Sequence, residues 1–302
     1  MSDRHVVLTG ATGLIGGALA TRLVERGDKV TALARDPQRA KRALPSGAGA
    51  AEWDLYRPDA GDWRQALADA DAVVHLAGTP LFAKRWSAKV KADLRASRVR
   101  STEQLVGALG EHRPRVFVSA SAAGYYGTDP GLTADERTAP ADDFLAGICV
   151  DWEAASAPLR AQGVRVAPVR IGIALSKRGG ALKELLPLFR FGMGGVFGDP
   201  APWLNWIHLD DLVSVFLRAL DDETLDGPIN GVSQAPVRNA DFDRAVAAAM
   251  GRHALLRYPT PLLRLGLGEA ANYLSGGARV ISRYDQPLRF PELGAALADV
   301  LR

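Results

Sequence analysis

The sequence predicts an α/β fold, a doubly wound parallel sheet carrying a smaller C-terminal α+β lobe. Three observations predict it. The stretch Thr9-Gly10-Ala11-Thr12-Gly13-Leu14-Ile15-Gly16 follows the apolar run His5-Val6-Val7-Leu8 and opens a segment with Ile15, Leu19 and Leu23 on one helical face. Strand-like and helix-like stretches then alternate as far as Ile171, which implies a parallel sheet covered on both faces. Beyond Ile173 the chain turns to glycine-rich and apolar stretches with short helices, the pattern of a second, smaller lobe.

Each element has its own signal. Lys29 to Ala34 reads as the second strand, Asp36 to Leu44 as a short helix, and Ala51-Glu52-Trp53 as a weak third strand. Trp63 to Ala68 is a short helix. Asp71 to Gly78 is a buried fourth strand with its exit turn. Ser87 to Leu109 reads as one long helix, with Val90, Leu94, Leu105 and Leu109 on its apolar side. Arg115 to Ser119 is the fifth strand, Phe144 to Arg160 a helix, and Val164 to Ile171 the sixth strand. In the second part, Leu182–Phe189 is helical and Trp203 to His208 extended. Asp210 or Asp211 serves as the cap of a helix running through Leu220. Pro228 to Val232 is a short strand, and Asn239 to Met250 is a helix that Gly251 ends. Further helices fall around Leu262–Leu274 and Leu293–Leu301. The expected division gives 1–173 plus 209–231 to a nucleotide-binding domain, and 174–208 plus 232–302 to the lobe.

Composition narrows the function. With 302 residues the chain can bury a large core, and 47% hydrophobic with 24% charged residues is ordinary for a globular protein. A net charge of +3, with signs mixed along the chain, argues against nucleic acid as partner. Cys149 is the sole cysteine, so no internal disulfide forms, which fits a reducing compartment. No signal segment or membrane-length apolar run is present. A cytoplasmic protein acting on a small molecule is the expectation. No motif encodes the substrate or the oligomeric state.

The glycine turn carries the chemistry. Between a strand and a helix, glycines let backbone approach a pyrophosphate that side chains would block. The helix then presents its N-terminal N–H groups and positive dipole end to the phosphates. This makes Gly10, Thr12, Gly13, Leu14 and Ile15 cofactor-binding candidates in a Rossmann-like domain. The spacing is Gly-x-x-Gly-x-x-Gly rather than the dehydrogenase fingerprint Gly-x-Gly-x-x-Gly.

With Asp71 to Gly78, Ser119 to Gly127 and Trp206 to Asp211, this turn resembles that of the extended short-chain dehydrogenase/reductases, the group of sugar-nucleotide epimerases and dehydratases. Within it the chain is similar to an atypical subfamily, the "epimerase family" proteins with a short C-terminal domain of unknown function. That likeness rests on Ser121-Ala122-Ala123-Gly124-Tyr125-Tyr126-Gly127, Asp142 to Ala146, Asp151-Trp152-Glu153, Gly179 to Leu182 and Trp203-x-x-Trp206-Ile207-His208. It covers nearly the whole chain and is weaker around Tyr284-Asp285-Gln286-Pro287.

The cofactor expected is NADP(H). An acid closing the second strand would bond the ribose 2′-hydroxyl and select NAD. Here Arg35 follows Ala34, with Arg39, Lys41 and Arg42 close behind, and a guanidinium can fork onto a 2′-phosphate. The competing reading of Arg35 is a solvated surface charge. The resemblance implies that Asp54 and Leu55 lie beside the adenine, and that Leu76, Ala77 and Gly78 line the pyrophosphate and nicotinamide ribose. Arg98 stands where the larger group often carries Asn, and is either a cofactor contact or a helix-surface charge.

The group's chemistry uses a Tyr acid/base, a Lys four residues later and a Ser or Thr. No tyrosine here has Lys four residues on. The resemblance places Leu145, Cys149 and Ala122 at the Tyr, Lys and Ser positions. Ser121 and Tyr126 are substitute candidates, each with a structural alternative, as turn serine and packing aromatic. Cys149 reads as a buried hydrophobe, and His208 as a residue orienting the Asp210–Asp211 turn. Trp203, Trp206 and Gly192–Gly198 read either as walls of a small-molecule pocket or as packing. Two functions follow: an NADP(H)-dependent oxidoreductase or epimerase-like enzyme with rearranged catalytic residues, or an NADP(H)-binding sensor without hydride chemistry.

Overall fold

A computed structural model of the chain describes residues 4–110, 113–274 and 276–302. Seven strands form the central sheet: β1 (His5–Thr9), β2 (Lys29–Ala34), β3 (Gly49–Glu52), β4 (Ala72–His75), β5 (Val116–Ala122), β6 (Arg165–Ile171) and β7 (Ile229–Gly231). Their spatial order is β7-β6-β5-β4-β1-β2-β3, and every pairing is parallel. The order reverses between β1 and β4, which is where such sheets bind ligands.

Alternation along the strands explains why both faces are dry. Val6, Leu8, Val74, Val118 and Val169 pack on one face beneath α1 (Leu14–Glu25), α2 (Pro37–Ala43) and α8 (Leu209–Asp221). Val7, Val73, Phe117 and Val166 pack on the other, beneath α3 (Trp63–Ala68) and α5 (Val99–Ala108). Side chains alternate faces with period two, so apolar runs such as Val6-Val7-Leu8 serve both layers. The lobe has its own core. Leu182, Leu186 and Phe189 of α7 (Gly180–Arg190) meet Phe242 and Val246 of α9 (Asn239–Ala249) and Leu297 of α11 (Leu293–Leu301). Its strands are short pairs, Ile173–Leu175 with Trp206–His208 and Gly195–Phe197 with Leu256–Tyr258.

Several elements differ from the sequence reading. The expected helix from Ser87 to Leu109 is two helices, α4 (Ala88–Ala96) and α5, broken at Ser97–Arg98. Arg98 folds back there, its guanidinium donating to the Leu94 carbonyl at 3.1 Å. The helix from Phe144 keeps α geometry only to Ser156, as α6 (Phe144–Ser156), and tightens to 3₁₀ over Ala157–Gln162. Neither Asp210 nor Asp211 caps α8. His208 fills that position, its Nδ1 accepting from the Asp210 N–H at 3.1 Å. Asp211 accepts instead from the N–H groups of Arg289 (2.7 Å) and Phe290 (2.9 Å). The segment around residues 262–274 is α10 (Thr260–Leu267) followed by a 3₁₀ turn, Gly268–Tyr273. Among the described residues no helix is long and apolar enough to cross a membrane.

Candidate functional site

The glycine turn sits at the C-terminal end of β1. Gly10 has φ +68°, and a Cβ there would lie 2.7 Å from the Leu76 carbonyl carbon. Only glycine relieves both the conformation and that approach. A Cβ on Gly16 would overlap the Gly10 carbonyl oxygen, so this residue lets α1 rest on the turn. Gly13 precedes α1 with no side-chain cap, and no acid sits in the first turn. The first N–H groups of α1 are therefore free to meet an anion.

A buried relay fixes the neighbouring exit of β4. The Thr9 hydroxyl accepts from the N–H groups of Leu76 and Ala77, each at 3.1 Å. Its one proton therefore goes to His75 Nδ1, 2.7 Å away. His75 is then the Nε2–H tautomer, donating to Ser101 Oγ at 3.0 Å. Burial pushes its pKa down to about 3, and the ring is neutral. Thr9, His75 and Ser101 thus tie Leu76 and Ala77 to α5.

Arg98 is not a helix-surface charge, being only 9% exposed. Its guanidinium lies against Gly78, donates to the Thr79 carbonyl at 3.0 Å and faces the Trp152 ring at 5.2 Å. At the other end of the cleft Arg35 is exposed, and among the described residues it forms no ion pair. Asp36 beside it caps α2, accepting from the Arg39 N–H at 2.9 Å. Asp54 accepts from the Tyr56 N–H (2.9 Å) and from Arg57 Nε (3.1 Å). The Tyr56 N–H bond, then Arg57 and the nearby Arg35, hold its carboxyl below the usual range against some desolvation. Leu55 is half-buried, and Thr12 is exposed beside the turn.

A cavity of about 410 Å³ opens over the C-terminal strand ends. Gly10, Gly13, Leu14, Ile15 and Leu76 line one side, and Ala120, Ile173 and Ala181 are among the residues opposite. A larger cavity, about 740 Å³, lies at the N-terminal end of the sheet among Arg4, Arg26, Arg115 and Arg165. We place the site at the smaller one, because it joins the glycine turn to the switch point. In the larger one Arg4 and Arg26 are paired with Asp221, and Arg165 donates to carbonyls at the end of α8. Trp206 is fully buried in the lobe core, and Trp203 lies beneath the Arg238 guanidinium at 3.8 Å. Both are packing residues, and neither lines the smaller cavity.

Ser121 and Tyr126 are brought together, but in a buried network beside the cavity. The Ser121 hydroxyl donates to Glu153 Oε1 at 2.6 Å. Arg170 binds both Glu153 oxygens at 2.8 Å and donates to the Tyr126 hydroxyl at 2.8 Å. Tyr126, 1% exposed, donates in turn to Asn230 Oδ1 at 2.8 Å. Burial pushes the Tyr126 pKa up to about 12 despite Arg170. Burial alone would lower the Arg170 pKa, but the bonds to Glu153 and Tyr126 outweigh it and raise it. Leu145 packs with Trp86, Ile148 and Ala270. The Cys149 thiol meets the Ala122 carbonyl at 3.8 Å, and burial, with Glu153 adding, pushes its pKa up to about 12. Glu153 and Arg170 escaped the sequence reading. The available signal was a lone arginine inside the apolar strand Val166-Ala167-Pro168-Val169-Arg170-Ile171, a position that demands a buried partner.

Known proteins match this architecture along its whole length. The chain is 36% identical over 298 residues to the Arabidopsis thaliana epimerase family protein SDR39U1 homolog, chloroplastic, covering 97% of this chain and 83% of the relative. The crystal structure of human epimerase family protein SDR39U1, solved with NADPH, superposes with a TM-score of 0.86 at 32% identity, covering 98% of each chain. The nucleoside-diphosphate sugar epimerase from Corynebacterium glutamicum superposes with a TM-score of 0.78 at 34% identity, over 99% of this chain and 58% of that one. The family model of the NAD dependent epimerase/dehydratase family matches residues 6–230. With its parallel sheet, its glycine turn at the switch point and these relatives, the chain belongs to the NAD dependent epimerase/dehydratase family, as an atypical extended short-chain dehydrogenase/reductase.

Proposed function

We propose that this chain binds NADP(H) across the C-terminal edge of the sheet and acts as an oxidoreductase or epimerase-like enzyme without the group's usual acid/base residues. The observation that carries the cofactor choice is Arg35, exposed and unpaired among the described residues just past β2. An acid closing β2 would have favoured NAD, whereas the next acid, Asp36, is engaged in capping α2. The human relative solved with NADPH supports the same choice.

The turn residues Gly10, Thr12, Gly13, Leu14 and Ile15 would receive the pyrophosphate through backbone N–H groups. Arg35 would hold the 2′-phosphate, and Asp54 and Leu55 would flank the adenine. Leu76, Ala77 and Gly78 would line the nicotinamide ribose. Arg98, clasping Thr79, would fix that loop. The bound nicotinamide supplies hydride exchange at its C4. Ser121 and Tyr126 have hydroxyls already committed to Glu153, Arg170 and Asn230, so they position the β5 exit rather than protonate a substrate.

Titration calorimetry tests this reading. NADPH should bind more tightly than NADH, and Arg35→Ala should remove most of the difference. A charge-assisted bond contributes about 1.5–3 kcal/mol, roughly ten- to a hundredfold in affinity. Equal affinity for both cofactors in the wild type refutes it. A second reading, an NADP(H) sensor, is favoured by Leu145 and Cys149, neither of which can exchange a proton near neutral pH. Tight NADPH binding without turnover on nucleotide sugars, quinones or aldehydes would select it.

A further inference from the structure

The large apolar side chains that the fold leaves uncovered are not scattered. Among the described residues nine are exposed, and six of these are Phe191, Met193, Leu255, Leu256, Leu262 and Leu265. They belong to two stretches that the lobe holds side by side. The strand Leu256–Tyr258 runs parallel to Gly195–Phe197. A Cβ on Gly195 would overlap the Leu256 carbonyl oxygen, and the Tyr258 hydroxyl donates to the Met193 carbonyl at 2.8 Å. Pro259 alone separates that strand from α10. Half of α10 is leucine, yet none of its residues is buried. A short helix gains its stability from burying an apolar face. Here the described residues supply no cover for Leu262 and Leu265, which lie one turn apart.

The surrounding charge identifies the cover. Arg190, Arg252, Arg257 and Arg264 are all exposed. None of the four except Arg190 lies near an acid in sequence, since no Asp or Glu falls within 251–268, and 185–198 is equally free of them. Arg264 donates to the neutral Asn272. These four arginines account for the whole positive balance of the chain: 37 Lys and Arg less four leaves 33, against 34 Asp and Glu. Exposed leucines interleaved with arginines fit an anionic lipid surface, where apolar tips enter the acyl boundary and guanidinium groups meet phosphates. Phe191 and Leu255 project furthest, at 78% and 84% exposed, and a fluid acyl boundary receives such tips without a matching pocket. A second copy fits poorly, because an isologous contact would set arginines against arginines.

We propose that this edge of the lobe docks peripherally on an anionic phospholipid surface, with α10 lying in the headgroup layer. The docking is independent of which cofactor the sheet domain holds. It is adsorption rather than spanning, since no described helix is long and apolar enough to cross a membrane.

Vesicles of phosphatidylcholine alone, and of phosphatidylcholine with an equal part of phosphatidylglycerol, are the probes. The chain should sediment with the second and not with the first, and added salt should release it. Arg252→Gln combined with Arg257→Gln should weaken binding about tenfold or more. Leu255→Ser combined with Leu265→Ser should do the same. All four positions are exposed, so melting temperatures should match the wild type, which separates lost docking from lost folding. Cys149 is buried, so a polarity-sensitive dye can be placed selectively through Leu255→Cys. Its emission should shift to the blue on anionic vesicles. The same dye placed through Glu223→Cys, at the N-terminal end of the sheet, should not shift. No sedimentation with the anionic vesicles would overturn the proposal. So would undiminished binding of the leucine variant, which would mean charge attraction alone. A dimer in solution that the leucine variant dissolves would overturn it in favour of a second copy.

Discussion

Arg170 shows how a single residue can organise the buried half of the site. Its guanidinium is 3% exposed, holds Glu153 through two bonds, and stacks on Tyr125 at 3.4 Å. Removing one member of such a network leaves the others desolvated and unpaired. Tyr126→Phe should therefore lower unfolding stability by about 1–3 kcal/mol in urea while calorimetric NADPH affinity is unchanged. An unchanged stability with lost turnover would instead return the tyrosine to a catalytic role. His75 gives a pH signature. Its pKa falls from 6.5 to about 3 in the fold, so the unfolded chain binds the extra proton. The stability this neutral ring contributes is complete above pH 6.5. It is lost as pH falls toward 3, at up to about 1.4 kcal/mol per pH unit. Denaturation of wild type and His75→Gln between pH 6.5 and 4 should show the shallower slope in the variant. That no tyrosine is followed by Lys four residues on could be read from the sequence alone. The Glu153–Arg170 pair could not, because its members lie on a helix and a strand that only the fold brings together.

At the scale of elements, periodicity located nearly every strand and helix of the sheet domain, since both faces of the sheet are buried and the apolar runs are long. It failed where tertiary contacts rather than local pattern set the boundary. Nothing between Ser87 and Leu109 signals a break, since neither glycine nor proline marks Ser97–Arg98. The break exists because Arg98 caps α4 and clasps Thr79. The α8 cap was misassigned for a related reason: His208 is an uncommon cap, and the acids after it were the obvious candidates. The glycine turn was legible because its constraint is local. Gly16→Ala should push α1 off the turn, lowering stability by roughly 1–3 kcal/mol and weakening NADPH binding together. Calorimetry and urea titration of the same sample would check both. In α9, burial of Asp243 pushes its carboxyl from 3.8 up to about 7, although it accepts from the Phe197 N–H. Here the folded chain holds the proton, so its contribution is complete below pH 4 and lost as pH rises through 7. Asp243→Asn should raise the melting temperature at pH 8 and change it little at pH 4.

The whole molecule is held together by crossings between its two cores. Glu136 binds the Asn230 N–H of β7, the Ser282 hydroxyl and the Arg283 N–H. Asp211 of α8 holds Arg289 and Phe290, just before α11. Asp211→Ala should speed amide exchange at Arg289 and Phe290 before it affects amides in β1 or β4, which exchange mass spectrometry can resolve. The order of the strands has a consequence for biosynthesis. β7 reaches its place against β6 only after the chain has made its excursion through residues 172–228. A nascent chain that has emerged only this far presents the open edge of β6, Arg165–Ile171, as a template for any extended neighbour. Ribosome pausing before residue 229 would therefore leave the half-made protein most exposed to aggregation and most dependent on chaperones.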